Sequence, residues 1–182
     1  MRALVSRFAP DGGHTLDIAE LPVPEPGPGQ VRVKVAAAAV NPVDVATARG
    51  LLAAGGLHPP REVLGLGWDV AGTIDAVGPE LPRVDTAPTP AYAVGDAVIG
   101  LADLLDVDSA THAEYVVLDR HQIAPAPRGL DPVAAATLPL NAMTAYQLLT
   151  RAALTPGQTV LVTGAAGGVG GFAVELAARG GL

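Results

Sequence analysis

The sequence predicts an α+β fold: short strands closing a partly open barrel or sandwich, then helices, then a strand, a glycine loop and a helix in succession. Three observations carry this. Apolar or alternating segments recur through the first two thirds of the chain. After Asp131 the hydrophobic period lengthens to that of a helix. "TGAAGGVGG", Thr163 to Gly171, joins an apolar run to an amphipathic one.

The first strands are read in "RALVSRF" (residues 2–8), "TLDIAELPVP" (15–24) and "VRVKVAAAAV" (31–40), separated by "APDGGH" and "EPGPGQ". In "VRVKV" the alternation sets Val31, Val33 and Val35 on one face and Arg32 and Lys34 on the other, the pattern of a half-buried strand. "DVAGTIDAVG" (69–78), "AVGDAVIG" (93–100) and "AEYVVLD" (113–119) continue the series. Between them "PELPRVDTAPTPAY" (79–92) is too rich in proline for a central strand or a helix interior and is expected to be an exposed loop. Asp131 then caps a short helix with Pro132 at its first position, and Pro139 is expected to end it. A second helix is expected from Asn141 through Leu149, followed by a turn and a buried strand in "LTPGQTVLVTG". In the final helix Val169, Phe172, Ala173, Leu176 and Ala177 fall on one apolar face.

Composition removes several functions. A net charge of −7 and a pI near 4.9 repel phosphate backbones, and 3% aromatic residues leave no stacking platform, so nucleic acid is not an expected partner. Mean hydropathy is +0.37, yet every apolar run is broken by Gly, Pro or charge too soon to span a bilayer, and the start lacks a signal-peptide core. A soluble, cytoplasmic protein without membrane association is therefore expected. The absence of cysteine rules out disulfides, thiol catalysis and Cys-ligated zinc.

The glycine loop meets the structural context that its motif requires, a strand before it and a helix after it. Ala165, Gly167 and Gly170 follow the dinucleotide-binding spacing, with alanine in the first glycine's place. The segment Gly164, Ala165, Ala166, Gly167, Gly168, Val169 and Gly170 is the candidate cofactor-binding loop. Gly167 and Gly168 would let the backbone approach a diphosphate, Gly170 would let the helix pack closely, and the helix N-terminus offers free N–H groups. A tight strand-to-helix turn with no ligand is the alternative. The loop of short-chain dehydrogenases, T-G-x-x-x-G-x-G, fits the same letters, but it demands a Tyr and Lys four residues apart, and the sole lysine, Lys34, has no such tyrosine.

Together "NPVDVATARG" (41–50), "VLGLGWDVAGTIDAVG" (63–78), "VGDAVIG" (94–100), "ATLPLNAMTAYQLL" (136–149) and "GAAGGVGGFAVELA" (164–177) resemble the medium-chain dehydrogenase/reductase superfamily, most of all its zinc-independent quinone oxidoreductase and enoyl reductase branch. The resemblance implies a GroES-like catalytic domain over residues 1–130. Residues 131–182 would then hold connecting helices and the first β-α unit of an incomplete Rossmann domain, with NADPH bound in the cleft between the domains; NADH is not excluded. Zinc-dependent members place a Gly-His-Glu at their metal, where this chain has Gly67-Trp68-Asp69, and His14, His58, His112 and His121 show no metal-ligand spacing, so no metal site is expected. By resemblance Asn41 and Thr144 are the catalytic candidates, both beside the nicotinamide. The ordinary readings are a turn residue before Pro42 and a helix-surface hydroxyl. Asp44 is expected to order its loop rather than transfer protons. Some quinone reductases carry a proton-donating Tyr shortly after that Asn, but this chain has Ala46 there, and Tyr92, Tyr115 and Tyr146 each read as structural.

The implied reaction is hydride transfer from NADPH to a quinone or an enone/enoyl substrate, with hydrogen-bond donors stabilising the oxyanion. Leu182 follows Gly170 by twelve residues, whereas the residue that discriminates NAD from NADP is expected ~20 residues on. The chain is therefore expected to be incomplete alone. It would be half of a split reductase with a complementary chain in a homo- or hetero-oligomer, a truncated fragment, or a non-catalytic interaction module built on the GroES-like domain.

Overall fold

The computed structural model describes residues 1–9, 13–80, 91–103 and 105–182. The loop expected over 79–92 lies largely outside the described residues, as does the middle of the turn at 9–14. The chain divides into two compact units, Met1–Ala136 and Thr137–Leu182. The first carries a three-stranded and a five-stranded sheet; the second is helical.

In the first unit β1 (Arg2–Phe8) pairs antiparallel with β2 (His14–Glu20) on one side and with the short β4 (Val63–Gly65) on the other. The larger sheet is antiparallel throughout, in the order β7 (Tyr115–Asp119), β3 (Gln30–Ala37), β5 (Asp69–Val77), β6 (Ala97–Leu101), β8 (Ile123–Pro125). The alternation in β3 is reproduced: Val31 and Val33 are fully buried, Val35 is half-buried against the same core, and Lys34 is exposed. Val70 and Ile74 of β5, Val98 of β6, Val116 and Leu118 of β7 and Ile123 of β8 complete this core. Branched aliphatic side chains fit the pleated inner face because their stiff rotamers lose little on burial.

Two short helices that the sequence reading did not expect, α1 (Pro42–Ala48) and α2 (Leu51–Ala54), connect β3 to β4. Each is too short to be stable by itself. The Ser6 hydroxyl, buried on β1, donates to the Ala48 carbonyl at 2.7 Å and fixes the end of α1. Helix α3 (Pro132–Ala135) is capped as expected, Asp131 accepting from Val133 N and Ala134 N. It packs on β3 and β5 through Ala135 and Ala136.

In the second unit α4 (Leu138–Ala152) packs on α5 (Gly168–Arg179). Pro139 does not end a helix; it lies in the first turn of α4, where a missing N–H costs nothing. The expected apolar face of α5 is present, with Ala173 and Ala177 buried and Val169, Phe172 and Leu176 half-buried. Residues 159–163, expected as a buried strand, form none, and Leu161 is 87% exposed. Strand geometry needs a hydrogen-bonded neighbour, and no described strand pairs with this segment. Among the described residues no helix is long and apolar enough to cross a membrane.

Ile74, 1% exposed in the centre of the core, supplies a direct test of this packing. Ile74→Ala is expected to lower the unfolding free energy by about 3 kcal/mol, and Lys34→Ala, on the exposed face, by less than about 0.5 kcal/mol, both measured by urea denaturation.

Candidate functional site

Backbone pairing between β3 and β5 reaches Ala37, opposite Ala71. Beyond it a side chain takes over. The Ala39 N–H donates to Asp69 Oδ1 at 3.2 Å, and Asn41 Nδ2 donates to Asp69 Oδ2 at 3.3 Å. Asp69, the first residue of β5, is 0% exposed, so its carboxylate depends on donors from the protein.

Asn41 is buried and is the N-cap of α1, with Pro42 in the first turn. Its own N–H donates to Asp44 Oδ2 at 2.6 Å, and the two residues form a capping box. Asp44 therefore orders the turn into α1. It is 3% exposed, and its Oδ1 has no hydrogen-bond partner. Burial pushes the Asp44 carboxyl above the ordinary carboxylate range, opposed by the bond from the Asn41 N–H and by the charge of His112. The His112 ring is held by Nε2, which faces the Ala39 carbonyl at 2.8 Å and, since a carbonyl only accepts, carries the proton there.

Thr144 lies in α4, half-buried, and its hydroxyl donates to the Leu140 carbonyl one turn back at 2.7 Å. The tyrosines occupy structural positions. The Tyr92 hydroxyl donates to the Ile123 carbonyl at 3.0 Å and is raised by burial, Arg32 lies over the Tyr115 ring at 5.6 Å, and Tyr146 is exposed on α4. His58 Nδ1 faces the Pro59 carbonyl at 2.8 Å, His14 lies by the Phe8 ring, and His121 is exposed. Among the described residues no three His, Asp or Glu groups converge as metal ligands.

The candidate loop forms a turn on the N-terminus of α5. Gly164 has φ +69°, Gly167 is the N-cap with extended backbone, and the Gly167 N–H donates to the Gly164 carbonyl at 2.9 Å. Residues 163–168 are exposed. Gly170 is demanded by the packing: a Cβ there would lie 2.2 Å from the Gly164 oxygen and 2.8 Å from Ala165 Cα. Asn141 of α4 flanks the loop, for a Cβ on Gly168 would fall 2.9 Å from its Oδ1. The helix thus begins with amides turned to an open, glycine-walled turn, the arrangement that accepts an anion. The structure brings Gly164 to Gly170 together as one loop in the second unit, with Thr144 in the same unit, and places Asn41 in the first. Asp69 was read from the sequence only within Gly67-Trp68-Asp69, and Asn141 only as the start of a helix, neither as a site residue.

The alcohol dehydrogenase GroES-like domain family matches residues 27–128. The chain belongs to the medium-chain dehydrogenase/reductase superfamily. Its relatives include the 2-methylene-furan-3-one reductase of Solanum lycopersicum, 33% identical over 77% of this chain and 34% of that protein. Among solved structures, an alcohol dehydrogenase superfamily protein from Novosphingobium aromaticivorans matches with a TM-score of 0.83 and 37% identity, over 100% of this chain and 51% of its own. The quinone oxidoreductase of Thermus thermophilus, solved also with NADPH, matches with a TM-score of 0.77 and 30% identity, over 100% of this chain and 51% of its own. The chain thus spans about half or less of the length of the relatives it matches.

Two outcomes follow from the geometry. Gly170→Ala is expected to destabilise the second unit by about 2 kcal/mol or more through the clash with Gly164, read as lost helical signal on heating. For Asp44 the folded state holds its proton more tightly than the unfolded chain does. The stability this contributes is present below the unfolded carboxylate pKa and disappears as pH rises through the raised value. Asp44→Asn can still accept the Asn41 N–H and never ionises. Urea midpoints over a pH series should therefore show the variant gaining on the wild type as pH rises through that window; a constant difference contradicts the reading.

Proposed function

We propose that this chain supplies the GroES-like domain and the diphosphate-binding loop of a zinc-independent, cytoplasmic reductase that transfers hydride from NADPH to a quinone or an enone/enoyl substrate. The observation that carries the reading is the loop at the start of α5. Its turn is exposed, its wall at Gly170 admits no Cβ, and its helix opens with amides that have no acceptor within the helix, at the positive end of the dipole. A dinucleotide diphosphate fits those residues. Quinone and enone reductases among the relatives support the substrate class, and the NADPH complex of the Thermus thermophilus protein supports the cofactor.

When bound, a reduced nicotinamide supplies the hydride. The residues of this chain have the other tasks. Gly164 to Gly170 hold the diphosphate, while Asn41 and Thr144 orient the nicotinamide. Zinc independence is supported by the donor set: the chain has no cysteine, Trp68 stands where zinc-dependent relatives have histidine, and both oxygens of Asp69 already face N–H donors. The unpaired apolar run at 159–163, with Leu161 exposed, supports a sheet completed by further strands, from continuing chain or from a complementary chain in an oligomer.

The test is Gly167→Asp. Gly167 is the N-cap, a position where aspartate is favoured, so the fold is expected to survive while the carboxylate repels the diphosphate. NADPH affinity, followed by nicotinamide fluorescence, is expected to fall by at least about tenfold. Unchanged affinity removes the loop from the site. Stoichiometric zinc by elemental analysis, or turnover abolished by chelator, contradicts the metal-free chemistry.

A further inference from the structure

We propose that β2 is a dimerisation edge, pairing antiparallel with β2 of a second copy of this chain about a two-fold axis at Asp17. The inference is independent of the reductase function proposed above. Among the described residues β2 (His14–Glu20) has one neighbouring strand, β1, in the order β2-β1-β4. Every residue of β2 except Ala19 is exposed, and Leu16 and Ile18 are each 59% exposed. A sheet edge presents a row of unpaired N–H and C=O groups, and proteins that keep such an edge single blunt it with proline, lysine or a bulge. β2 has no proline or lysine, and its register with β1 runs unbroken from Arg2 opposite Glu20 to Phe8 opposite His14.

The bonds of β1 settle which groups of β2 point outward. Leu4 N–H donates to the His112 carbonyl at 2.8 Å, the Leu4 carbonyl accepts from Leu66 N–H at 3.3 Å, and Phe8 N–H donates to the Glu62 carbonyl at 2.9 Å. The even-numbered residues of β1 therefore turn their backbone groups away from β2. The residues opposite them, His14, Leu16, Ile18 and Glu20, turn theirs to the free edge. A second copy must match these residues with one another. Centred on Asp17, the pairing uses the whole strand: Leu16 faces Ile18 of the second copy, and His14, an N–H donor, faces Glu20, an acceptor. Centred on Leu16 it would set His14 against Ile18, and centred on Ile18 it would set Leu16 against Glu20, each leaving an end of the strand unpaired. In the Asp17 register the Leu16 and Ile18 side chains of both copies share one face, so apolar groups exposed in the single chain cover one another. The cost falls at the axis, where like charges oppose. Each Asp17 already carries Arg7 of its own chain, whose Nε donates to Oδ2 at 2.7 Å.

The experiment uses the full chain. Sedimentation velocity over a concentration series is expected to show a reversible dimer. Ile18→Lys, at an exposed position, should raise its dissociation constant at least about tenfold with the circular dichroism unchanged, whereas Leu161→Lys leaves the dimer intact. The absence of cysteine allows the register to be read directly. Residues opposed without hydrogen bonds between them lie about 4.5 Å apart at Cα, within the span of a disulfide. Oxidised Asp17→Cys is therefore expected to form a covalent dimer. Thr15→Cys, whose two copies lie about 14 Å apart in this register, is not. The cross-link also decides the matter where Ile18→Lys does not fold. A wild type that stays monomeric to about 100 μM, or a dimer lost in Leu161→Lys and kept in Ile18→Lys, overturns the β2 interface. Cross-linking of Thr15→Cys as readily as Asp17→Cys overturns the axis at Asp17.

Discussion

Antiparallel pairing of β3 with β5 is the constraint on which the first unit depends. Both strands are interior to their sheet, flanked by β7 and β6, and both contribute fully buried aliphatic side chains to one core. A slip of one residue would turn Val31 and Val33 outward and bring Arg32 and Lys34 in, so the register is enforced by burial. That register sets Ala37 against Ala71 and so delivers the chain leaving β3 to the first residue of β5. Asp69 waits there. The candidate site inherits its geometry from the core through this one handover, from a backbone ladder to a buried carboxylate.

A different constraint governs the second unit. Its buried side chains on α5 are only alanines, Ala173 and Ala177, and α4 adds Pro139 and Ala145. Small side chains allow two helices to approach closely but remove little apolar surface from water, and the hydrophobic contribution scales with that surface. The glycine loop follows the same logic of close approach, since Gly170 lets the Gly164 carbonyl rest where a side chain would begin. Local precision here is sterically enforced, while the bulk of the stabilisation must come from elsewhere. Anything that binds the folded unit preferentially, a ligand on the loop or strands on 159–163, raises its stability by mass action.

Much of this was legible because it is local. The alternation of β3, the Asp131 cap with Pro132 and the apolar face of α5 are each encoded within a few neighbouring residues, and each formed. The failures have a common cause in distance. Residues 159–163 have the composition of a strand, but pairing is a property of neighbours, not of the segment. Pro139 could end one helix or open the next, and its own sequence does not distinguish the two. Helix α1 exists because Asn41 and Asp44 cap one end and Ser6, far upstream, holds the other. Asp69 sits in an apolar run that reads as plain strand, and its partners Ala39 and Asn41 come from another part of the chain. Its immediate surroundings mark it only as the end of Gly67-Trp68-Asp69, read for a metal and not for a bond to Asn41.

Two buried carboxylates, Asp44 and Asp69, approach Asn41 from different elements, and their donors separate their roles. Asp69 has a donor on each oxygen, so the protein replaces the water it has lost. Asp44 has the Asn41 N–H on Oδ2 and nothing on Oδ1, and burial raises its affinity for a proton. A carboxylate supplied on both sides suits a fixed acceptor, because its geometry survives without a change of charge. One supplied on a single side is relieved by protonation, and the bond from the Asn41 N–H survives that event because Oδ2 accepts in either state. The backbone of Asn41 is therefore held by a group that can change its charge, and its carboxamide by one whose geometry does not depend on doing so. The carboxamide of Asn41 is held from two sides, by Asp69 at Nδ2 and by the Asp44 backbone through the capping box.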